Sequence, residues 1–282
     1  MPAVVQPQLG APLARPREPP DWPQYSRRML DLDAYLTRIG LTGRPDLAEL
    51  HRAHVAAIPF ENLDPRRGVP VSLEPEDLQQ KLVASHRGGY CFEQNLLLKA
   101  ALEALGAEVE MFLARVRIGA VPGGPRPRTH LVLGVQIDGA RWHVDVGFGH
   151  GTLLEPIPFG PGDEHEQSGW RFRLVEDGPE IVLQSVEGGH WVDLYGFVPE
   201  PVPLIDVVTS NWYTCTHPRS PFVTGLIVSV QRPDGLRVSV SDWNGDLSLN
   251  EETPTRATIT EIEPDALGEL IASRFGLEAA LV

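Results

Sequence analysis

Cysteine is scarce in this chain, with only Cys91 and Cys215 among 282 residues. Two thiols cannot build the disulfide framework that staples small secreted domains, so a reducing, cytoplasmic setting is expected. Long apolar runs are missing as well. No stretch approaches the ~18 residues that span a bilayer, so no membrane partner is expected. The first residues lack a basic segment followed by an apolar one, so export is not expected. Basic residues are outnumbered, 24 Lys and Arg against 38 Asp and Glu, for a formal charge of −14. Such a field disfavours nucleic acid as a bulk partner. No cluster has metal-ligand spacing, so no metal is expected, and no glycine-rich loop ends in Lys-Ser or Lys-Thr. What remains is an ordinary soluble composition, 42% hydrophobic and 22% charged, with length for two or three small domains.

Residues 1–22 (MPAVVQPQLGAPLARPREPPDW) are rich in proline without a period and read as a flexible extension. Residues 23–108 read as a helical domain of four helices: "LDLDAYLTRIG", "PDLAELHRAHVAAIP", "EPEDLQQKLVAS" and "CFEQNLLLKAALEALG". Gly40 and Gly106 stand where helices stop. Residues 109–210 turn to short β-rich runs, among them "VEMFLARVRI", "HLVLGVQI", "RWHVDVGF", "WRFRLV", "EIVLQSV" and "HWVDLYGFV", whose spacing suggests an antiparallel barrel or sandwich. Residues 211–282 carry strands around "FVTGLIVSVQR" and "LRVSVSDW" and close on a helix, "EPDALGELIASRFG". The fold class is α+β.

Asp138-Gly139 is a strong two-residue turn signal. If the turn is tight, Ile137 faces Ala140 and Val132 faces Asp145. His130 then sits one diagonal step from Asp145 on the same side of the ribbon, roughly 7 Å away between backbones. His143 shares that side; Leu131, Leu133, Val135, Val144 and Val146 take the other. One face reads as core and the other as holding the chemistry. A carboxylate at this spacing fixes the imidazole tautomer and leaves the second ring nitrogen free for a thiol. Cys91 opens its helix, where the dipole and a nearby His⁺ favour thiolate. Gly88 and Gly89 just before it leave room for a substrate, and one of them is expected at positive φ. A thiol, an imidazole and a carboxylate so arranged make an acyl-accepting nucleophile.

These residues carry a resemblance. "RGGYCFEQN", "RTHLVL" and "VDVGFG", with "IPFENL" upstream, resemble the signature of the arylamine N-acetyltransferases. The likeness covers nearly everything after the proline-rich start. It implies an N-terminal helical bundle, a central antiparallel β-barrel and a C-terminal α/β lid around a cysteine-protease-like core. It also implies that Cys91, with His130 and Asp145, takes the acetyl group from acetyl-CoA and hands it to an arylamine, hydrazine or arylhydroxylamine in a ping-pong cycle. By the same resemblance Phe60 and Phe148 line the aryl pocket, with Phe222 a third candidate. The loop "GAVPGGPRPR" departs from the family by lacking a small Thr-Gly pair; Arg126 and Arg128 stand there to meet CoA phosphates, with backbone donors at Gly123, Gly124, Gly149 and Gly151.

Plainer readings hold elsewhere. Cys215 reads as a buried small hydrophobe and His143 as a solvated strand residue. His150 reads equally as rim or loop. His51, His54, His86, His165 and His190 read as surface or structural. Glu93 and Asn95 read as helix acceptors or as pocket supports. Two other enzyme classes share the Cys, His, Asp order: an amide synthase closing a macrolactam from a carrier-bound thioester, and a papain- or transglutaminase-type hydrolase.

Overall fold

The computed structural model describes residues 30–119, 124, 126–242, 245–278 and 280; the proline-rich residues 1–22 and Gly123 lie outside them. Helix α1, Leu32–Arg38, is started by the Asp31 side chain, which accepts from the Ala34 amide at 3.0 Å, and gives way to Gly40 at φ 76°. Helix α2, Leu47–Ala57, opens on a reciprocal Asp46–Glu49 capping box. Its inward face buries Leu50 and Val55 but also His51 and His54. A two-residue strand β1, Phe60–Glu61, and a turn of helix α3, Leu63–Arg66, follow. Helix α4, Pro75–Leu78, runs into a π-helical stretch, Gln79–Ala84. Helix α5, Cys91–Ala104, has ten buried residues, so it is a central rod with no solvent face along most of its length.

The middle of the chain forms one antiparallel sheet. Its strands are β2 Glu108–Val116, β3 His130–Ile137, β4 Ala140–Val144, β5 Ile157–Pro158, β6 His165–Gln167, β7 Trp170–Asp177, β8 Glu180–Glu187 and β9 His190–Phe197. They lie in the order β5-β4-β3-β2-β9-β8-β7-β6. The edges β5 and β6 are bridged by a side chain rather than a ladder. Gln167 accepts from the Leu154 and Glu155 amides at 2.8 and 3.1 Å and donates to the Glu155 carbonyl at 2.9 Å, which nearly closes a barrel.

The turn between β3 and β4 is tight: Asp138 and Gly139 take φ of 51° and 77°, and Ile137 pairs with Ala140. Both faces of this ribbon are buried, and the side expected to hold the chemistry faces a second core rather than solvent. Leu131, Leu133, Val135 and Val144 pack against the helices, while Val132 on the other side sits inside the barrel with Phe112, Phe172, Tyr195 and Phe197. A curled sheet has an inside, and here aromatic rings fill it, each contributing roughly 1.5–3 kcal/mol by leaving water.

Helix α6, Leu204–Thr216, runs across residue 210, the point where sequence divides the second unit from the third. Its β-branched and aromatic residues hide the helical recurrence of Val207, Asn211, Thr214 and Cys215, which are the ones it buries. A short helix α7, Pro221–Thr224, leads to a second sheet: β10 Ile227–Gln231, β11 Arg237–Ser241, β12 Ser248–Thr253 and β13 Arg256–Glu261, backed by helix α8, Leu267–Phe275. Strand β1 adds to its edge, Phe60 opposite Ser229. Among the described residues no helix is long and apolar enough to cross a membrane.

Candidate active site

Cys91 is the first residue of α5 and only 2% exposed. Its sulfur lies against the Thr129 carbonyl at 3.6 Å and the His130 ring. The two glycines before it serve packing. A Cβ at Gly88 would fall 2.1 Å from the Pro59 oxygen, and one at Gly89 would fall 2.7 Å from the Glu93 carboxylate. Neither is at positive φ, which corrects the expectation that they open a path or a left-handed turn. A third glycine, Gly147, lies against the Cys91 backbone, where a Cβ would fall 2.7 Å from the Cys91 Cα.

His130 opens β3 and Asp145 follows β4, on the same side of the ribbon, with His130 Nε2 2.7 Å from Asp145 Oδ2. The other ring nitrogen is left for the thiol. Asp145 Oδ1 accepts from Asn95 Nδ2 and from the Gly147 amide, both at 2.9 Å. Asn95, one turn along α5 from Cys91, also donates to the Leu131 carbonyl at 2.8 Å and accepts from the Val146 amide at 3.1 Å. One side chain thus locks helix and ribbon together. Burial alone would drive both charges out; the His130 charge and hydrogen bond, then Asn95 and Gly147, overcome it and hold Asp145 down at about 2. Burial likewise opposes the imidazolium, yet Asp145, with a contribution from Cys91, lifts His130 to about 10. The ring is built to keep a proton.

Tyr195 is the site residue that sequence reasoning missed. Its ring centroid is 4.7 Å from that of His130, and its hydroxyl meets His143 Nε2 at 2.8 Å and interacts with Asp145. No local signal points to it, because β9 reaches the ribbon through β2, far away in sequence. His143 is not solvated as predicted. It is fully buried, stacked on Phe197 at 5.3 Å, and burial pushes it down to about 4, so it is neutral.

The three phenylalanines are in ring contact with one another or with His130 and Tyr90. Phe148 rests on the His130 ring at 5.2 Å; Phe60 meets Phe222 at 6.1 Å and packs over Gly149; Phe222 also stands edge-on to Tyr90 at 5.5 Å. The residues expected to meet CoA are more scattered. Arg126 gives its guanidinium to the Ile118 and Gly119 carbonyls at 3.2 and 2.6 Å. Arg128 is exposed and lines a cavity of about 300 Å³ with Leu113, Thr129, Asp206 and Tyr213. Gly149, at φ 81°, uses its carbonyl to accept from Gln231 at 2.9 Å. His150 Nε2 is in hydrogen-bond contact with Glu252 at 2.9 Å.

Behind α5 lies a charged cluster. Lys81, on the π-helical stretch, contacts Glu93 and Asp64, each at 2.7 Å, and Arg87 contacts Glu61 at 2.7 Å and Asp64 at 2.9 Å. Glu93 also accepts from the Tyr90 amide at 3.0 Å, which anchors the start of the helix. Burial raises Glu93 to about 7 against the pull of Lys81. Cys215 is buried beside the Trp212 carbonyl, as its plain reading expects. Among the described residues no group of three or more His, Cys, Asp and Glu is placed to hold a metal ion.

A helix-borne thiol facing a histidine–carboxylate pair carried by a barrel defines an α+β protein of the thiol–imidazole–carboxylate class. Residues 45–281 match the family described as N-acetyltransferase. The chain is 48% identical to the arylamine N-acetyltransferase of Mycolicibacterium smegmatis over 258 residues, 88% of this chain and 92% of that one. It is 32% identical to the arylamine N-acetyltransferase / N-hydroxyarylamine O-acetyltransferase of Salmonella typhimurium, over 87% of this chain and 88% of that one. The structure of Mycobacterium marinum arylamine N-acetyltransferase in complex with CoA superposes with a TM-score of 0.83 at 36% identity, over 89% of this chain and 94% of that one. The chain belongs to the arylamine N-acetyltransferase family.

Proposed function

We propose that this protein transfers an acetyl group from acetyl-CoA to the nitrogen of an arylamine through an acetyl-Cys91 intermediate. The observation that carries the reading is the Cys91 sulfur set against a histidine whose far nitrogen is held 2.7 Å from Asp145. In the first half-reaction His130 holds the thiol proton while sulfur attacks the acetyl carbonyl. The bond from that carbon to the CoA sulfur then breaks, and His130 returns the proton to the leaving thiolate. Thioester replaces thioester, so little driving force is needed. In the second half-reaction the amine nitrogen attacks the enzyme thioester, His130 takes the N–H proton, and Cys91 leaves. The Cys91 amide, at the first position of α5, has no intrahelical acceptor and is the natural donor to the oxyanion.

Phe60, Phe148 and Phe222 are the acceptor contacts in this reading, since their rings give a flat aromatic amine apolar walls beside the thiol. Arg128, with the cavity it lines next to Thr129, is the better of the two arginine contacts for CoA; Arg126 is already engaged by the protein. The same chemistry extends to hydrazines, and to the oxygen of N-hydroxyarylamines, for which the Salmonella relative is named. The helix–ribbon order of thiol, imidazole and carboxylate supports a cysteine-protease-like core. Mass spectrometry after mixing with acetyl-CoA alone tests the reading. One acetyl group on the peptide containing Cys91, released by an aniline, is expected; a Cys91 peptide left unmodified by acetyl-CoA alone would sink it.

A further inference from the structure

Arg237, on β11, is fully buried, and its Nε, Nη1 and Nη2 have no hydrogen-bond partner among the described residues. A buried guanidinium carries five N–H donors and a charge that does not leave below pH 12 in water, so bare burial is the arrangement folded proteins avoid most strongly. One face of the group is covered by the Trp170 ring, 3.3 Å from the guanidinium carbon. Stacking satisfies the face but none of the donors, which lie in the plane. Glu187 and Glu252 act on Arg237 through space, and neither reaches ion-pair distance. Glu252 is instead committed to His150 at 2.9 Å.

The surroundings converge on the same seam. Across β11 the Cα partners of Arg237 are Gln231 and Glu252. Gln231 holds the Gly149 carbonyl at 2.9 Å, and a Cβ at Gly151 would stand 4.0 Å from Arg237 Nη1. Gly149 and Gly151 take φ of 81° and 96°, and the space a side chain would fill at Gly151 is bordered by Arg237 Nη1 and the Phe148 ring. The three nitrogens of the Arg237 guanidinium, all donors, therefore lie buried at the junction between the barrel and the C-terminal sheet with no acceptor among the described residues.

We infer that this junction binds a small monovalent inorganic anion, chloride in ordinary solution, held in the plane of the Arg237 guanidinium beside the Gly149–Gly151 turn. A halide accepts from several donors at once, fits where a carboxylate side chain does not reach, and neutralises the buried charge, which a water molecule cannot do. The anion also ties the turn to β11. The neighbouring Phe148 rests on His130, so the site braces the wall of the active centre.

Bromide replaces chloride and scatters anomalously, so crystals of the whole protein grown in sodium bromide should show an anomalous peak in hydrogen-bond contact with Arg237. In solution the melting temperature should rise by a few degrees in sodium chloride over sodium gluconate at equal ionic strength. Arg237→Met, which keeps the bulk and removes the charge, should lose that difference. A water in place of the anomalous peak overturns the inference, as does equal melting in the two salts. A peak without a melting difference means binding at crystal concentration only, and also overturns it. Should Arg237→Met fail to fold, the wild-type map and the two-salt comparison still decide.

Discussion

At the scale of single residues, Asp145 is worth more than its charge. Its two oxygens accept from His130, Asn95 and Gly147, so the carboxylate fixes ring, helix and turn together. Asp145→Asn keeps the shape but offers an N–H where His130 needs an acceptor. We expect kcat/KM for an aromatic amine to fall about 10³–10⁴-fold by the wrong-tautomer effect, while the urea midpoint moves far less. An unchanged rate constant would remove the carboxylate from the chemistry. The buried histidines make a second prediction. His51, His54 and His143 are held neutral by burial, down at about 4, 3 and 4, against 6.5 unfolded. The unfolded chain therefore binds their protons first, and the stability they contribute above pH 6.5 is lost as pH falls below it. Glu93, raised to about 7 from 4.5, runs the other way over pH 4.5–7 and takes back one proton. His130, raised to about 10, contributes stability that is complete below pH 6.5 and lost as pH climbs toward 10. Urea midpoints should peak near neutrality and fall on the acid side with a net uptake of about two protons on unfolding. A flat profile from pH 7 to 5 would contradict neutral buried rings. His130 and Asp145 could be paired from sequence because one turn separates them. Tyr195 and the burial of His143 could not, since they depend on β9 curling back over the ribbon.

At the scale of elements, helix α5 and the β3–β4 ribbon touch through a glycine. Gly147→Ala places a methyl group 2.7 Å from the Cys91 Cα, so the turn must retreat. Overpacking of this kind costs about 1–3 kcal/mol. Because the turn also feeds Asp145, acetylation of Cys91 should slow by at least about tenfold, read as the rate of acetyl uptake from acetyl-CoA. A variant with normal stability and normal uptake would show that helix and turn are not in contact. Helices α1 and α5 were legible because their stops are local, Gly40 and Gly106 standing where the rules put them, whereas α6 carried no such signal. The β12–β13 hairpin was not. Apart from Leu249 its strands are half-buried or exposed, so "SLNEET" and "RATITE" carry little alternation for a reader to see.

At the scale of the whole molecule, the barrel closes on one side chain. Gln167→Leu keeps the volume but strips the acceptor from the Leu154 and Glu155 amides and the donor from the Glu155 carbonyl. A loss of about 2–4 kcal/mol follows from leaving such groups unpaired in the interior, measured as a lower urea midpoint. A drop below about 0.5 kcal/mol would mean that water fills the seam. The second sheet has its own lesson. Its edge strand, β1, comes from the far end of the chain, and Phe60 also bridges Gly89 just before the nucleophile. Amide deuteration should therefore find Phe60, Glu61 and the β10 residues exchanging as one cooperative block. No truncation that discards the C-terminal sheet should leave a working remnant, because half of what holds the thiol in place is stitched to it.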